Sequence, residues 1–284
     1  MRALEQLVAH RRRVVGAKVR ITNRLISTLR NSFPQVLQWL EDKDTHLVCD
    51  FLRRWPTRKA AQLARRTPLE PFCRDHHVRS EHVIAQRRHA IKTATPLTTD
   101  AGVIAPNALL VQALVAQLRV TWQAIANCDT AIAQRAQSHP DFPLFQALPG
   151  AGPVFAPRLL VAFGEQRARY ASAAELPKYA GIAPVTERSG KKSWVPWRLQ
   201  CPKCLRQTFV EWAAASSRHS FWAQLYYQPQ RAKGKAHPAA VRALACKWIR
   251  ILYRGRQDRT PYDESVYLQA LNQRSSALMH NVAG

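Results

Sequence analysis

Between residues 106 and 138 apolar side chains return every seven positions, at Val111, Leu118, Ile125 and Ile132, and Leu114, Thr121 and Cys128 follow the first three by three residues. A strand alternates with period two, so a repeat of seven held over this length fits a long α-helix with one apolar seam. Such a seam needs a partner. Residues 1–31 supply a second helix of the same kind, with Leu7, Val14 and Ile21 spaced by seven and Val8, Val15, Leu25 and Leu29 widening the stripe. The two can pair as a helical hairpin within the chain, or extend into a homo-oligomer through the coiled coil. The fold class that follows is mainly α.

The rest of the organisation comes from punctuation. Pro34 fits a new helix start after a break at Phe33, and Pro56, Pro68 and Pro71 divide residues 34–93 into several short helices. Residues 94–104, with Pro96, Asp100 and Gly102, read as a linker. His139-Pro140-Asp141 closes the long helix. The domains expected are therefore a helical coiled-coil region over residues 1–140, a compact helical domain over 141–272, and a polar tail over 273–284. In the second domain helices are predicted at about 153–163, 172–179, 200–217, 219–232 and 238–254, with an irregular or short β-hairpin segment across 182–198. Phe209 and Trp212 fall on one face of their helix, and Trp248, Ile249 and Leu252 on one face of theirs, as core residues would.

Chemistry concentrates between residues 148 and 198. Leu148-Pro149-Gly150-Ala151-Gly152-Pro153 reads as the turn of a helix-hairpin-helix. Gly150 and Gly152 permit a tight turn, and backbone N–H groups at the start of the next helix suit a phosphate. Arg158 lies on that helix. Further on, Arg188-Ser189-Gly190-Lys191-Lys192 sets one serine among cations, with Arg198 close behind. Those cations can hold a phosphate and stabilise negative charge developing on it. A serine in a loop is ordinarily inert, and no histidine within the motif can serve as its base.

The charge agrees with a polyanionic partner. Lys and Arg number 43 against 18 Asp and Glu, a net charge of +25. Neutralised phosphates release counterions, so such a surplus favours nucleic acid. No run of eighteen wholly apolar residues exists and the start lacks the apolar core of a signal peptide, so neither a membrane span nor export is expected. The six cysteines are scattered, as reduced thiols of a cytoplasmic protein would be. Cys201-Pro202-Lys203-Cys204 has no second pair to complete a zinc site, and the sparse acids form no two-metal cluster.

At these motifs the chain resembles the transposases of the insertion sequence one-ten family, which use a bridge RNA. The resemblance covers the Leu148–Pro153 turn, the Tyr179-Ala180-Gly181-Ile182-Ala183-Pro184 stretch, Ser189-Gly190, the block from Cys201 to Tyr227, and Ala239 to Tyr262 with Asp258-Arg259-Thr260-Pro261-Tyr262. It implies that Ser189 is the nucleophile, linking covalently to DNA during strand exchange. Gly150, Gly152, Arg158, Arg188, Lys191, Lys192 and Arg198 would then bind DNA. It implies DNA and a guide RNA as partners, and a location in the cytoplasm at the nucleoid. The family's magnesium site belongs to an N-terminal RuvC-like domain with four metal-binding acids, and nothing before Met1 supplies it here. The resemblance thus implies a truncated or decayed copy, or an internal start at Met1, with no metal in this chain and no activity alone. The alternative is a non-catalytic nucleic-acid-binding protein using the helix-hairpin-helix and the basic helices.

Overall fold

The computed structural model describes residues 1–64, 66–190, 192–194 and 200–273, and it is mainly helical. The two long helices are α1 (Arg2–Ser32) and α7 (Ala101–Gln137). Between them lie α2 (Val36–Trp39), α3 (His46–Arg54), α4 (Arg58–Leu63), α5 (Arg66–Asp75) and α6 (Glu81–Thr93). The chain divides into two compact units: residues 10–127, and residues 1–9 together with 128–284.

In the unit of residues 10–127 the short helices have explicit starts. The hydroxyls of Thr45, Thr57 and Ser80 accept the N–H groups of Val48, Ala60 and Val83 at 3.3, 3.2 and 3.4 Å. Each satisfies a donor that a helix start leaves open. Pro34 and Pro56 fall at breaks and the caps start α3, α4 and α6, whereas Pro68 and Pro71, expected to divide helices, lie within α5. Leu25 and Leu29 of α1 and Phe33 just after it share a core with Phe51 and Leu52 of α3, Ile84 and Ile91 of α6, and Val111, Leu114, Val115 and Leu118 of α7. The rings of Phe51, Trp55 and Phe72 pack at centroid separations of 5.0 to 6.0 Å, within the range of favourable edge and tilted contacts.

Two expectations change. The linker expected over 94–104 stops at Asp100, because the Asp100 carboxylate accepts the Gly102 N–H at 2.7 Å and starts α7 there. The single seam of Val111, Leu118, Ile125 and Ile132 is divided: Val111 and Leu118 belong to this core, Ile132 to that of the other unit, and Ile125 is half-buried. Spacing by seven puts residues on one face without saying which core each part meets. By length and composition α7 is long and apolar enough to cross a membrane, although it holds no run of eighteen wholly apolar residues. Its many alanines raise the average although Gln112, Gln117 and Arg119 interrupt the run. Core helices pass the same test, and Val111, Leu114, Val115 and Leu118 are buried inside protein here.

The other unit begins, after α7, with α8 (Phe142–Gln146) and α9 (Gly152–Phe163). A 3-10 turn at Arg167–Arg169 and α10 (Glu175–Tyr179) follow. The helix predicted over 172–179 is shorter and begins at Glu175, whose carboxylate takes the Ala171 N–H at 2.8 Å in the turn before it. Next come β1 (Glu187–Ser189) and β2 (Lys192–Trp194), the only strands among the described residues. The unit is completed by α11 (Lys203–Ser216), α12 (Phe221–Ala232), α13 (His237–Gln257) and α14 (Glu264–Gln273). The part of the polar tail from residue 274 onward lies outside the described residues.

Its core is aromatic. Trp212 and Trp222 pack on Trp248 at 5.0 and 4.7 Å, and Phe163 meets Phe209 at 6.0 Å. Trp248 Nε1 donates to Ser216 Oγ at 2.8 Å, so the buried indole is satisfied. A buried charged cluster holds the ends of three elements together. Asp141, just before α8, is 6% exposed and Arg256, in the last turn of α13, is 4% exposed. Arg256 Nε lies 3.4 Å from Asp141 Oδ2, and its Nη2 donates to the carbonyls of Gly164 at 2.7 Å and Glu165 at 3.0 Å. Arg167 donates both to Asp141 Oδ1 and to the Arg256 carbonyl. Burial pushes the Arg256 guanidinium below its ordinary pKa, and the Asp141 carboxylate opposes that shift.

Candidate nucleic-acid interface

The turn between α8 and α9 is built by two glycines in different ways. Gly150 has φ +70° and Gly152 φ +49°. A Cβ at Gly150 would sit 3.0 Å from His219 Cδ2 and 3.3 Å from backbone atoms of Ala215 and Ser216, so close approach to the end of α11 requires glycine there. Trp212 Nε1 donates to the Pro149 carbonyl at 3.1 Å and fastens the same turn to α11. Gly152 has open space where a Cβ would be, and only its left-handed backbone demands glycine. Leu148 O accepts the Ala151 N–H at 3.1 Å to close the turn, and Ala151 O accepts from Phe155. Gly152 and Val154 are exposed, and their N–H groups have no partner among the described residues. Pro153 between them has no N–H. The start of α9 therefore presents two open donors and the positive end of a helix dipole.

Arg158 occupies a different position from those donors. Its Nη2 lies 2.9 Å from Glu211 Oε2, its Nε donates to Thr208 Oγ1 at 3.3 Å, and its side chain is 15% exposed. It also sits 5.1 Å over the Phe155 ring. In this structure its charge links α9 to α11. The partner is 53 positions away in sequence, so no local pattern announces the pair.

The serine motif forms a hairpin. Glu187 pairs with Trp194, Arg188 with Ser193, and Ser189 with Lys192. Gly190, at φ +58°, takes the left-handed turn position that a two-residue hairpin loop needs. Side chains on paired strands alternate between faces. One face therefore carries Glu187, Ser189, Lys192 and Trp194, and the other carries Arg188 and Ser193. All six residues are exposed. The structure thus brings Lys192 directly across from Ser189 and turns Arg188 to the opposite face. Lys191 and Arg198 lie outside the described residues. The sequence reading missed Trp194 as a companion of Ser189; strand alternation on either side of Gly190 is the signal that finds it.

No three His, Cys, Asp or Glu side chains among the described residues converge as a metal site. The acidic ligands a magnesium ion prefers are not gathered among the described residues.

The domain family described as the IS116/IS110/IS902 transposase family matches residues 143–228, which contain the α8–α9 turn, the hairpin, α11 and most of α12. The chain is 29% identical over 272 residues to a Streptomyces coelicolor protein named as the mini-circle transposase for IS117, covering 92% of this chain and 64% of that one. It is 26% identical over 265 residues to the 42 kDa protein of insertion element IS900 from Mycobacterium paratuberculosis, covering 90% of this chain and 62% of that one. It is 27% identical over 265 residues to the 43.6 kDa protein of insertion element IS110 from Streptomyces coelicolor, covering 92% and 64%. The chain spans just under two-thirds of the length of these relatives. The match to the domain and the similarity along nearly the whole chain agree with the resemblance in the turn and serine motifs, and residues 143–228 match the transposase domain of the IS116/IS110/IS902 family.

Proposed function

We propose that this chain is the DNA-handling part of an insertion-sequence transposase, with Ser189 as the nucleophile of strand exchange and a guide RNA as a second partner. The observation that carries the reading is an exposed serine directly across a hairpin from Lys192, inside the segment that matches the transposase domain. In the proposed step Ser189 Oγ forms a bond to the scissile phosphorus as the bond to one nucleoside oxygen breaks. The serine proton is released and the departing oxygen takes one up. The free hydroxyl of the exchanged strand then attacks the same phosphorus and releases the serine. Lys192 neutralises charge building on the phosphate oxygens, an effect that is strong where donors are held in place beforehand. The open N–H groups of Gly152 and Val154 would take a neighbouring phosphate, as helix starts do.

Binding is tested by salt titration. On duplex DNA log affinity should fall with log salt by about 0.9 per neutralised phosphate. Replacing Arg188 and Lys192 together by Gln should reduce that slope by about 2, one for each lost phosphate contact. A slope unaltered by the double substitution would remove the hairpin from the interface.

The long helix offers a seam for a second copy. Leu109, Ala113, Ala116 and Val120 follow the four-three-four spacing of a coiled coil and are all exposed, Leu109 by 74% and Val120 by 71%. Exposed apolar rows on a charged protein mark association surfaces. Light scattering should give a mass above the 32.2 kDa of one chain, and Leu109→Glu with Val120→Glu should return it to one chain with circular dichroism unchanged. A wild-type mass of one chain, or a variant mass equal to wild type, contradicts the assignment.

A further inference from the structure

We propose that Trp194 is a base-stacking residue that holds an unpaired DNA base next to the phosphate presented to Ser189. The inference rests on the reading that the serine face of the hairpin meets DNA. Trp39, Trp55, Trp212, Trp222 and Trp248 are buried and Trp122 is half-buried, whereas Trp194 is 47% exposed and alone in that among the described tryptophans. Its ring makes no aromatic or cation–π contact with another described residue. An indole left in water on a two-stranded hairpin contributes nothing evident to the core.

Its place in the register is informative. Ser189 pairs with Lys192, and Trp194 lies two residues further along β2 on the same face. Diagonal neighbours of this kind stand about 7–8 Å apart, within reach of an aromatic side chain. The face thus presents hydroxyl, ammonium and indole in a row, which matches a phosphate followed by its base. Glu187, directly across from Trp194, gives the row a polarity. Its carboxylate repels phosphate from the indole end and leaves that end to the uncharged base. Arg188 on the other face stays available for the next phosphate along the strand.

The ligand class follows from stacking geometry. Inside a duplex both faces of a base are covered by neighbours, so the indole can stack only on a base that is flipped out or single-stranded. Every base has a π-face, so the contact should tolerate any sequence. Trp194 would therefore give the chain a preference for locally unpaired DNA without reading a code.

The test measures binding and is independent of chemistry. Fluorescence anisotropy would follow the full chain on a 20-nucleotide single-stranded DNA, on its duplex, and on single-stranded RNA of the same sequence. Stacking on one base is worth about 1–3 kcal/mol by alanine substitution. Trp194→Ala should therefore weaken single-stranded DNA binding by about 5- to 150-fold, with duplex binding changed less than about twofold. Trp194→Phe should restore most of the loss. Trp194→Leu keeps the apolar bulk and lacks the π-face, so it should behave like Trp194→Ala even if the alanine variant folds poorly. A 2-aminopurine in the strand should be quenched by wild type and not by Trp194→Leu. Single-stranded DNA affinity within twofold of wild type in Trp194→Leu would overturn the proposal. Equal losses on single strand and duplex, or a loss confined to RNA, would overturn it too. An adduct that survives Ser189→Ala would defeat the nucleophile reading and leave the binding result standing, so the two failures are distinguishable.

Discussion

Replacing Asp141 with alanine is expected to destabilise the unit that carries the serine hairpin by about 3–5 kcal/mol, the usual cost of leaving a buried charge without its partner. Asp141 faces two guanidiniums. Arg256 is 4% exposed and has no water to turn to, and Arg167 would lose its carboxylate as well. The carbonyls of Gly164 and Glu165 would still accept from Arg256, but they cannot neutralise it. In a unit of this size each kcal/mol shifts the melting temperature by about 2–4 °C, so a fall of about 10 °C is expected. Denaturant unfolding followed by tryptophan fluorescence reads this directly, since Trp212, Trp222 and Trp248 lie in the same core. Asp141→Leu combined with Arg256→Met should recover much of the loss, because a buried ion pair exchanged for apolar side chains is often neutral or better. A loss below about 1 kcal/mol in Asp141→Ala would show that the cluster does not hold these element ends together.

The cluster also shows what the sequence conceals. Asp141 and Arg256 are 115 residues apart, and before folding they look like two of many charged residues. Arg158 has the same history: its partner Glu211 lies on another helix, so a cation read as a phosphate ligand stands in an internal ion pair. Long-range pairing of charges is decided by packing, and periodicity carries no record of it. The helices themselves were legible, because an apolar stripe repeats along every one that reaches a core. Trp212, Trp248 and Phe209 were legible as core for the same reason. The start of α7 was displaced from expectation by a single carboxylate that takes a backbone N–H group, at Asp100. Such caps are local, but their choice among several candidate acids depends on the folded backbone.

The serine motif was half legible. An irregular or short β-hairpin segment was expected across 182–198, and the hairpin that forms there gives each residue a face. Which cation stands across from Ser189 follows only from the register, which selects Lys192 over Arg188. That selection gives the second large effect. Ser189→Ala should abolish covalent attachment to DNA while leaving most of the binding, because Lys192 and the start of α9 remain in place. Lys192→Gln should keep the nucleophile and slow its attack by about 100-fold, the usual effect of removing one group that stabilises a developing oxyanion.

The most direct measurement is a denaturing gel of 5′- and 3′-labelled DNA incubated with residues 1–284, and with the same residues joined to the portion of the IS117 relative that lies outside the match. With Ser189 present in the joined protein, a band of protein bound covalently to DNA should appear, and it should vanish in Ser189→Ala while non-denaturing gels still show the complex. A covalent band that persists in Ser189→Ala, or its absence from the joined protein with Ser189 intact, would contradict the assignment of Ser189 as the residue that attacks DNA.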